Sequence, residues 1–288
     1  MKKNPMQTLL PYQLSLAAAV FFIASKALAQ DEPDVEGTNR PLWEAGVAGF
    51  ALESPAYPGA ADNVQKGLVL PWVVYRGPIL RAGGGTFGAR MVKTDNFEVD
   101  IGFAGSLSAN SADVVVRSGM PDLGFLLEFG PRIKYTLARP SANSLVRLEA
   151  PLRGVFELQD GVHVQGMAFE PRITYDHRNL FAGVGVSSSF SLMYGDKKFN
   201  QYLYGVPAAY ATAQRESYDA KAGLISPRFQ LSLNHAITKD VRVFGLTRLD
   251  AAHLGVNSSS PLHVKNSGVT VGFGLVWTLG RSTRLESE

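Results

Sequence analysis

An unbroken two-residue alternation restricts this chain more than any other feature. Between Leu123 and Leu137 the odd positions carry Leu123, Phe125, Leu127, Phe129, Pro131, Ile133, Tyr135 and Leu137. The even positions carry Gly124, Leu126, Glu128, Gly130, Arg132, Lys134 and Thr136. Successive side chains of a strand point to opposite faces, so this is a ribbon with one apolar face and one face that is mostly polar or small. At ~3.3 Å per residue the apolar face is tens of ångströms long. Strands of soluble sandwiches usually run only about 5–6 residues, whereas a tilted membrane-crossing strand needs about 9–11.

Other segments repeat the arrangement. Val146, Leu148, Ala150, Leu152, Phe156 and Leu158 oppose Arg147, Glu149, Arg153 and Glu157; Met167, Phe169, Pro171, Ile173 and Tyr175 oppose Glu170, Arg172, Thr174 and Asp176. Phe97 to Leu107 and Val269 to Trp277 alternate in the same way. No window shows convincing helical recurrence at i, i+3, i+4, i+7. The expectation is an all-β chain, a transmembrane antiparallel up-and-down β-barrel, because closure alone pairs every backbone group inside hydrocarbon. Strands are expected near 43–53, 66–76, 79–91, 95–107, 123–137, 145–158, 163–176, 180–191, 199–206, 217–235, 240–251 and 268–279. That gives about twelve, with ten as the alternative, since bacterial single-chain barrels carry even numbers. Turn residues at 76–78, 94–96, 159–161, 176–179 and 238–240 suit tight reversals. Longer connections, where binding specificity would reside, are expected at 54–65, 108–122, 207–216 and 252–267.

The start of the chain fits export. Two early lysines, an apolar run from Leu14 to Ala24 and the triplet Ala27, Leu28, Ala29 predict a signal peptide over 1–29. As an anchor the apolar run is about half the ~20 residues a spanning helix needs. A flexible periplasmic leader is expected at 30–42, the barrel at 43–280 and a C-terminal tail at 281–288. The 288 residues include no cysteine, which excludes disulfides and cysteine-ligated zinc. The charge is nearly balanced at 28 basic against 25 acidic residues, and no basic run or interleaved aromatic pattern suggests nucleic acid.

Parity also sorts the charges. Pro-Arg-Ile-x-Tyr occurs twice, at Pro131 and at Pro171, and a third Pro-Arg stands at Pro227. In the first two copies acid and arginine share the inner face, Glu128 with Arg132 and Glu170 with Arg172. The inward set is Glu98, Asp100, Glu128, Glu149, Glu157, Glu170, Asp176 and Asp250 against Arg132, Lys134, Arg147, Arg153, Arg172, Arg228, Arg242 and Arg248. Ions in a narrow interior are costly unless hydrated or paired, so these predict a lumen ion-pair network around Glu128, Arg132, Arg153, Glu170, Arg172 and Arg228. The other reading is a charged lining for a solute pathway. Prolines lack a ladder donor, so Pro131, Pro151, Pro171 and Pro227 are expected beyond the hydrocarbon band.

The five histidines fall at strand ends or beside loops, in no spacing with a mechanical rationale for hydrolysis or metal binding. Neither catalytic nor cofactor or metal-binding residues are expected, and a triad assembled from distant strands is the enzymatic alternative.

"RSGMPDLGFLLEFGPRIKY" from Arg117 to Tyr135 resembles the MltA-interacting protein (MipA/OmpV) family of outer-membrane proteins. The likeness extends to "WEAGVAGFALESPAYPGA" at the first strand, "LPWVVYRGPILRA" from Leu70 and "NSSSPLHVKNSGVTVGFGLVW" from Asn257. The resemblance implies an outer-membrane barrel in contact with lipid and without known catalysis. It implies a scaffold role toward a murein lytic transglycosylase and a bifunctional penicillin-binding protein, with a porin-like channel or an adhesin as alternatives. On the expected strand order, the loop containing Gly119, Met120, Pro121 and Asp122 is a periplasmic partner loop, at the opposite end from Asn257.

Overall fold

The computed structural model describes residues 40–77, 80–83, 86–89 and 92–285. The expected signal peptide, most of the leader and the last three residues of the tail lie outside them. One antiparallel sheet contains β1 (Trp43–Pro55), β2 (Asn63–Arg76), β3 (Leu80–Gly83), β4 (Thr86–Ala89), β5 (Val92–Lys93), β6 (Phe97–Ser106) and β7 (Leu126–Ser141). It continues through β8 (Ser144–Leu158), β9 (Val162–Phe169), β10 (Arg172–Phe181), β11 (Val184–Gly195), β12 (Gly223–Ala236), β13 (Val241–Asp250) and β14 (Gly268–Arg281).

The sheet closes on itself. First and last strands pair from Glu44↔Arg281 to Glu53↔Val271. β4 and β5 both pair with β6, and β9 and β10 both pair with β8 and with β11. Each of those two couples occupies one place in the circle, so the described residues give a barrel with twelve strand positions.

Two expectations about its parts are corrected, and they cancel in the count. The single strand expected at 79–91 is a hairpin: Leu80 pairs with Ala89 and Gly83 with Thr86, so the chain reverses between Gly83 and Thr86. The strand expected at 199–206 is helix α1 (Lys197–Tyr204). Its buried residues Phe199, Asn200, Leu203 and Tyr204 recur at helical spacing, and the Asp196 carboxylate caps it by accepting from Phe199 N at 2.8 Å.

The extra reversal changes which connections share an end. The loops 56–62, 107–125, 196–222 and 251–267 all leave from one rim, which also carries the 159–161 turn, opposite the turns at 94–96, 142–143, 182–183 and 237–240 and the two chain ends, which are joined there by Pro41 and Leu285. The expectation that Gly119–Asp122 and Asn257 lie at opposite ends is therefore overturned. The 176–179 turn is also displaced: the chain reverses at Ala182 and Gly183, both at positive φ (47° and 78°).

Outward side chains are apolar and uncovered, with Phe273 67% and Trp277 54% exposed, as a lipid-facing wall requires. No helix among the described residues is long and apolar enough to cross a membrane. The interior has two unlike halves. Under β1, β2, β13 and β14 it is filled by Phe50, Leu70, Trp72, Val74, Phe244 and Val276. Under β6 to β13 it is ionic.

Pro131, Pro151 and Pro227 lie inside strands β7, β8 and β12. Pro131 follows five residues of β7, and Pro151 is central in β8. Pro171 splits β9 from β10 and sits beside Leu192, which in turn pairs with Pro227. Pro131, Pro151 and Pro171 share one height on neighbouring strands, and Pro227 stands at that height on β12, beyond Leu192 of β11. The wall tolerates them because their carbonyls still accept: Glu170 N donates to Pro151 O, Leu192 N to Pro171 O and Ala251 N to Pro227 O.

Candidate functional site: an ion-paired interior beneath a loop plug

The inward charges condense into two chains of contacts. In one, Arg153 donates to Glu128 (2.9 Å) and to Glu170 (2.8 Å), Arg228 reaches Glu170 (3.5 Å) and Asp250 (2.6 Å), and Arg248 also donates to Asp250 (3.0 Å). In the other, Lys134 contacts Glu98 and Asp100, and Arg132 grips Asp100 through Nε and Nη2 at 2.8 and 2.6 Å. Glu149 collects Arg172 at 2.5 Å, with Arg132 and Arg147 at 3.8 Å, and Arg147 continues to Asp176 at 2.7 Å. Seven acids and seven bases thus meet among the described residues.

Register explains the pairing. Asp100 faces Arg132, Lys134 faces Glu149, Glu149 faces Arg172, and Arg228 faces Asp250 on adjacent strands. Directly opposed residues of an antiparallel pair hold their Cβ atoms about 4.5–5.5 Å apart, so opposite charges there meet without distortion. All six residues named for the network fall into it. Two others do not: Glu157 lies at the loop rim, accepting from Gly124 N (2.8 Å), Tyr202 Oη (2.7 Å) and Gln165 Nε2 (2.6 Å), and Arg242 is exposed near the opposite rim, where no inward partner faces it.

Above the belt the four long loops interlock into a plug. Tyr57 Oη donates to Leu262 O (2.7 Å), Tyr204 Oη to Pro58 O (2.8 Å), Ser260 Oγ to Tyr204 O (2.7 Å) and Val115 N to an Asp62 carboxylate oxygen (3.0 Å). Their apolar side chains form one buried cluster that includes Tyr57, Met120, Phe199, Leu203, Tyr204 and Leu262. Met120 is buried within it, while Gly119, Pro121 and Asp122 are exposed. Asp122 accepts from Ser111 N (2.6 Å) and Oγ (2.8 Å), bonds that hold its carboxyl below the usual range.

Two arginines that parity could not find staple this plug to main-chain carbonyls. Arg117 is buried over the Tyr57 ring, 5.9 Å from its centroid, and donates to Leu203 O and Pro121 O at 3.3 Å. Arg215 ties Tyr210 O to Val116 O and Ser118 O. Burial lowers the Arg117 pKa and pushes the Tyr57 hydroxyl up to about 12. Burial also pushes His263 down. His253 Nδ1 lies 3.0 Å from Asn266 O.

Between plug and belt lies a cavity of about 200 Å³. Its floor is Glu128, Arg153, Glu170, Arg172, Arg228 and Arg248; its roof includes Tyr57, Phe199 and Leu203. Among the described residues no group of three or more histidines and acids is placed to hold a metal ion.

None of the curated proteins matches the chain significantly. Solved structures of similar fold include the NanC porin (10% identity, TM-score 0.37, 82% of this chain and 100% of that one). An outer-membrane channel from Pseudomonas putida F1 aligns at 9% identity and TM-score 0.45, over 85% and 98% of the two chains. Outer membrane phospholipase A from Escherichia coli aligns at 10% identity and TM-score 0.34, over 83% and 94%. The family described as MltA-interacting protein MipA matches residues 46–279. That match runs from just inside the first strand of the barrel almost to the end of the last, and the chain belongs to this family.

Proposed function

We propose that the protein is a closed, non-enzymatic outer-membrane scaffold that docks a murein lytic transglycosylase, and through it a murein-synthesising partner, at the inner surface of the membrane. The observation that carries this reading is the occupied interior. A balanced ion-pair belt fills one half of the lumen, an apolar cluster the other, and a four-loop plug covers one rim. A barrel filled in this way offers surface rather than passage. The family description, an MltA-interacting protein, supports a transglycosylase as partner.

Outer-membrane barrels carry short turns on the periplasmic side and longer loops outside. On that rule the plug, Gly119–Asp122 included, faces outward. The docking surface is then the short-turn rim, with Thr94–Asn96, Ala142–Asn143 and Lys239–Asp240 and the joined chain ends.

The test pairs conductance with capture. The full chain in planar bilayers is expected to be silent, and the chain in nanodiscs is expected to retain a purified murein lytic transglycosylase. Charge reversal at Lys239 and Asp95 should weaken that retention. Stable ion-selective openings would transfer the function to a channel for small charged solutes, and loss of capture on substituting Asp122 instead would move the docking surface to the plug.

A further inference from the structure

The cavity between belt and plug has a chemistry that the scaffold reading does not use. Register sets its floor in two rows. Arg172, Ser191, Arg228 and Asp250 lie side by side on β10, β11, β12 and β13, and Ser189, Gln230, Arg248 and Thr270 form the next row on β11 to β14. Neighbouring strands are ~4.8 Å apart, so the three guanidinium groups converge on a single small volume.

Their hydrogen bonds leave donors over. Arg172 spends Nε and Nη2 on Glu149, Arg228 spends Nε on Asp250 and Nη1 on Glu170, and Arg248 spends Nε on Asp250 and Nη2 on Thr270. One terminal nitrogen of each has no partner among the described residues: Arg172 Nη1, Arg228 Nη2 and Arg248 Nη1. The acceptors facing them are nearly saturated. Asp250 takes hydrogen bonds from Ser226, Arg228 and Arg248, and Glu170 is shared by Arg153, Arg228 and Ser191; of these three carboxylates only Glu128 keeps an oxygen, Oε1, without a hydrogen bond among the described residues. The roof is apolar and aromatic, with Tyr57, Met193, Phe199 and Leu203.

We propose that this cavity is a binding site for a small amphiphilic carboxylate, its head accepting from the spare nitrogens of Arg172, Arg228 and Arg248 and its apolar body lying beneath the plug. Planar guanidinium forks suit carboxylates, and three spare cationic donors against one open carboxylate oxygen favour an anion. Size sets the class further. A dry cavity of about 150 Å³ takes benzene, so about 200 Å³ accommodates a ring or short chain with one carboxylate attached. The site does not require conduction, since the ligand reaches it by opening of the plug and leaves by the same route.

The probes are benzoate and its uncharged near-isostere benzamide, titrated calorimetrically against the full chain in detergent, with empty micelles subtracted. Saturable benzoate binding is expected, with benzamide at least about tenfold weaker, the ratio for losing one charge-assisted hydrogen bond. Gln230→Glu places a competing carboxylate beside Arg248 without removing any ion pair, and Arg248→Gln removes one spare donor while Asp250 keeps Arg228. Each is expected to weaken benzoate at least about tenfold, Gln230→Glu at an unchanged urea midpoint. Equal binding of benzoate and benzamide, no saturable binding to the folded chain, or a folded Gln230→Glu variant that binds benzoate as tightly as the parent would overturn the proposal.

Discussion

Arg153 is the residue whose removal tests the ionic interior most directly. Its side chain is 2% exposed and bridges Glu128 at 2.9 Å and Glu170 at 2.8 Å. Methionine keeps much of its length and removes the charge. Glu170 would still have Arg228 at 3.5 Å, but Glu128 would lose the cation that hydrogen-bonds it. Breaking a buried pair from one side costs about 3–5 kcal/mol, because the orphaned ion stays desolvated. If the lumen were wet, the pair would behave as a surface bridge and its loss would cost only about 0–1 kcal/mol. Urea unfolding from lipid vesicles, followed by emission of the three tryptophans, separates these cases. The double variant Arg153→Met/Glu128→Gln carries the sharper reading. Neutralising the orphan should return about 1–3 kcal/mol, so the pair should be more stable than Arg153→Met alone. A single variant within about 1 kcal/mol of the parent, or a double variant equal to the sum of both losses, would refute the claim that these charges are dry.

Gly46 and Gly130 are expected to be intolerant, because an added Cβ would lie 1.9 Å from Trp277 O and 2.1 Å from Leu152 O; alanine at either should cost about 1–3 kcal/mol, while Gly245→Ala, with 3.8 Å to spare, should be near neutral in the same urea assay. The plug should loosen as pH falls. His263 and Asp122 both have pKa values lowered in the folded state, so the open state takes up protons first. Their stabilisation is complete above roughly pH 6.5 and is lost on acidification, first for the histidine and then below the ordinary aspartate value of about 3.9. Hydrogen exchange of plug amides at falling pH reads this directly, and pH-independent protection would contradict it. Finally, the parent's lack of cysteine allows clean labelling: cysteines at Ala112 and Ser258 in intact cells should react together, and one at Ala142 should be shielded. Opposite behaviour of Ala112 and Ser258 would restore the discarded strand order.

Much of the barrel was legible because lipid imposes a period of two on its outer face. Once Phe129, Ile133 and Tyr135 are assigned outward, Glu128, Arg132 and Lys134 must point in, and strand pairing does the rest. The apolar half of the interior was not legible in this way. In β2, Leu68, Leu70, Trp72 and Val74 face in while Val69, Val73 and Tyr75 face lipid, so parity separates nothing. Helix α1 was misread because two turns are too few to establish a helical period against the alternation of Tyr202 and Tyr204. The plug was illegible for a different reason. Its stabilising contacts join Tyr57 to Leu262 and Arg117 to Leu203, pairs far apart in the chain with no local repeat to announce them. The Gly83–Gly85 run was the available sign of the extra reversal, and reading 79–91 as one strand placed the 108–122 connection at the wrong rim.

At the height of Pro131, Pro151 and Pro171 three consecutive staves of the barrel each omit a main-chain donor, and β12 does so again at Pro227 beyond Leu192 of β11. Arg153 and Arg172 reach across the seams between the first three staves, and Arg132 and Arg228 across the seams flanking the girdle, from within. Around that girdle, hoop strength has passed from amides to guanidiniums, so the ions bind the cask together as well as occupying it.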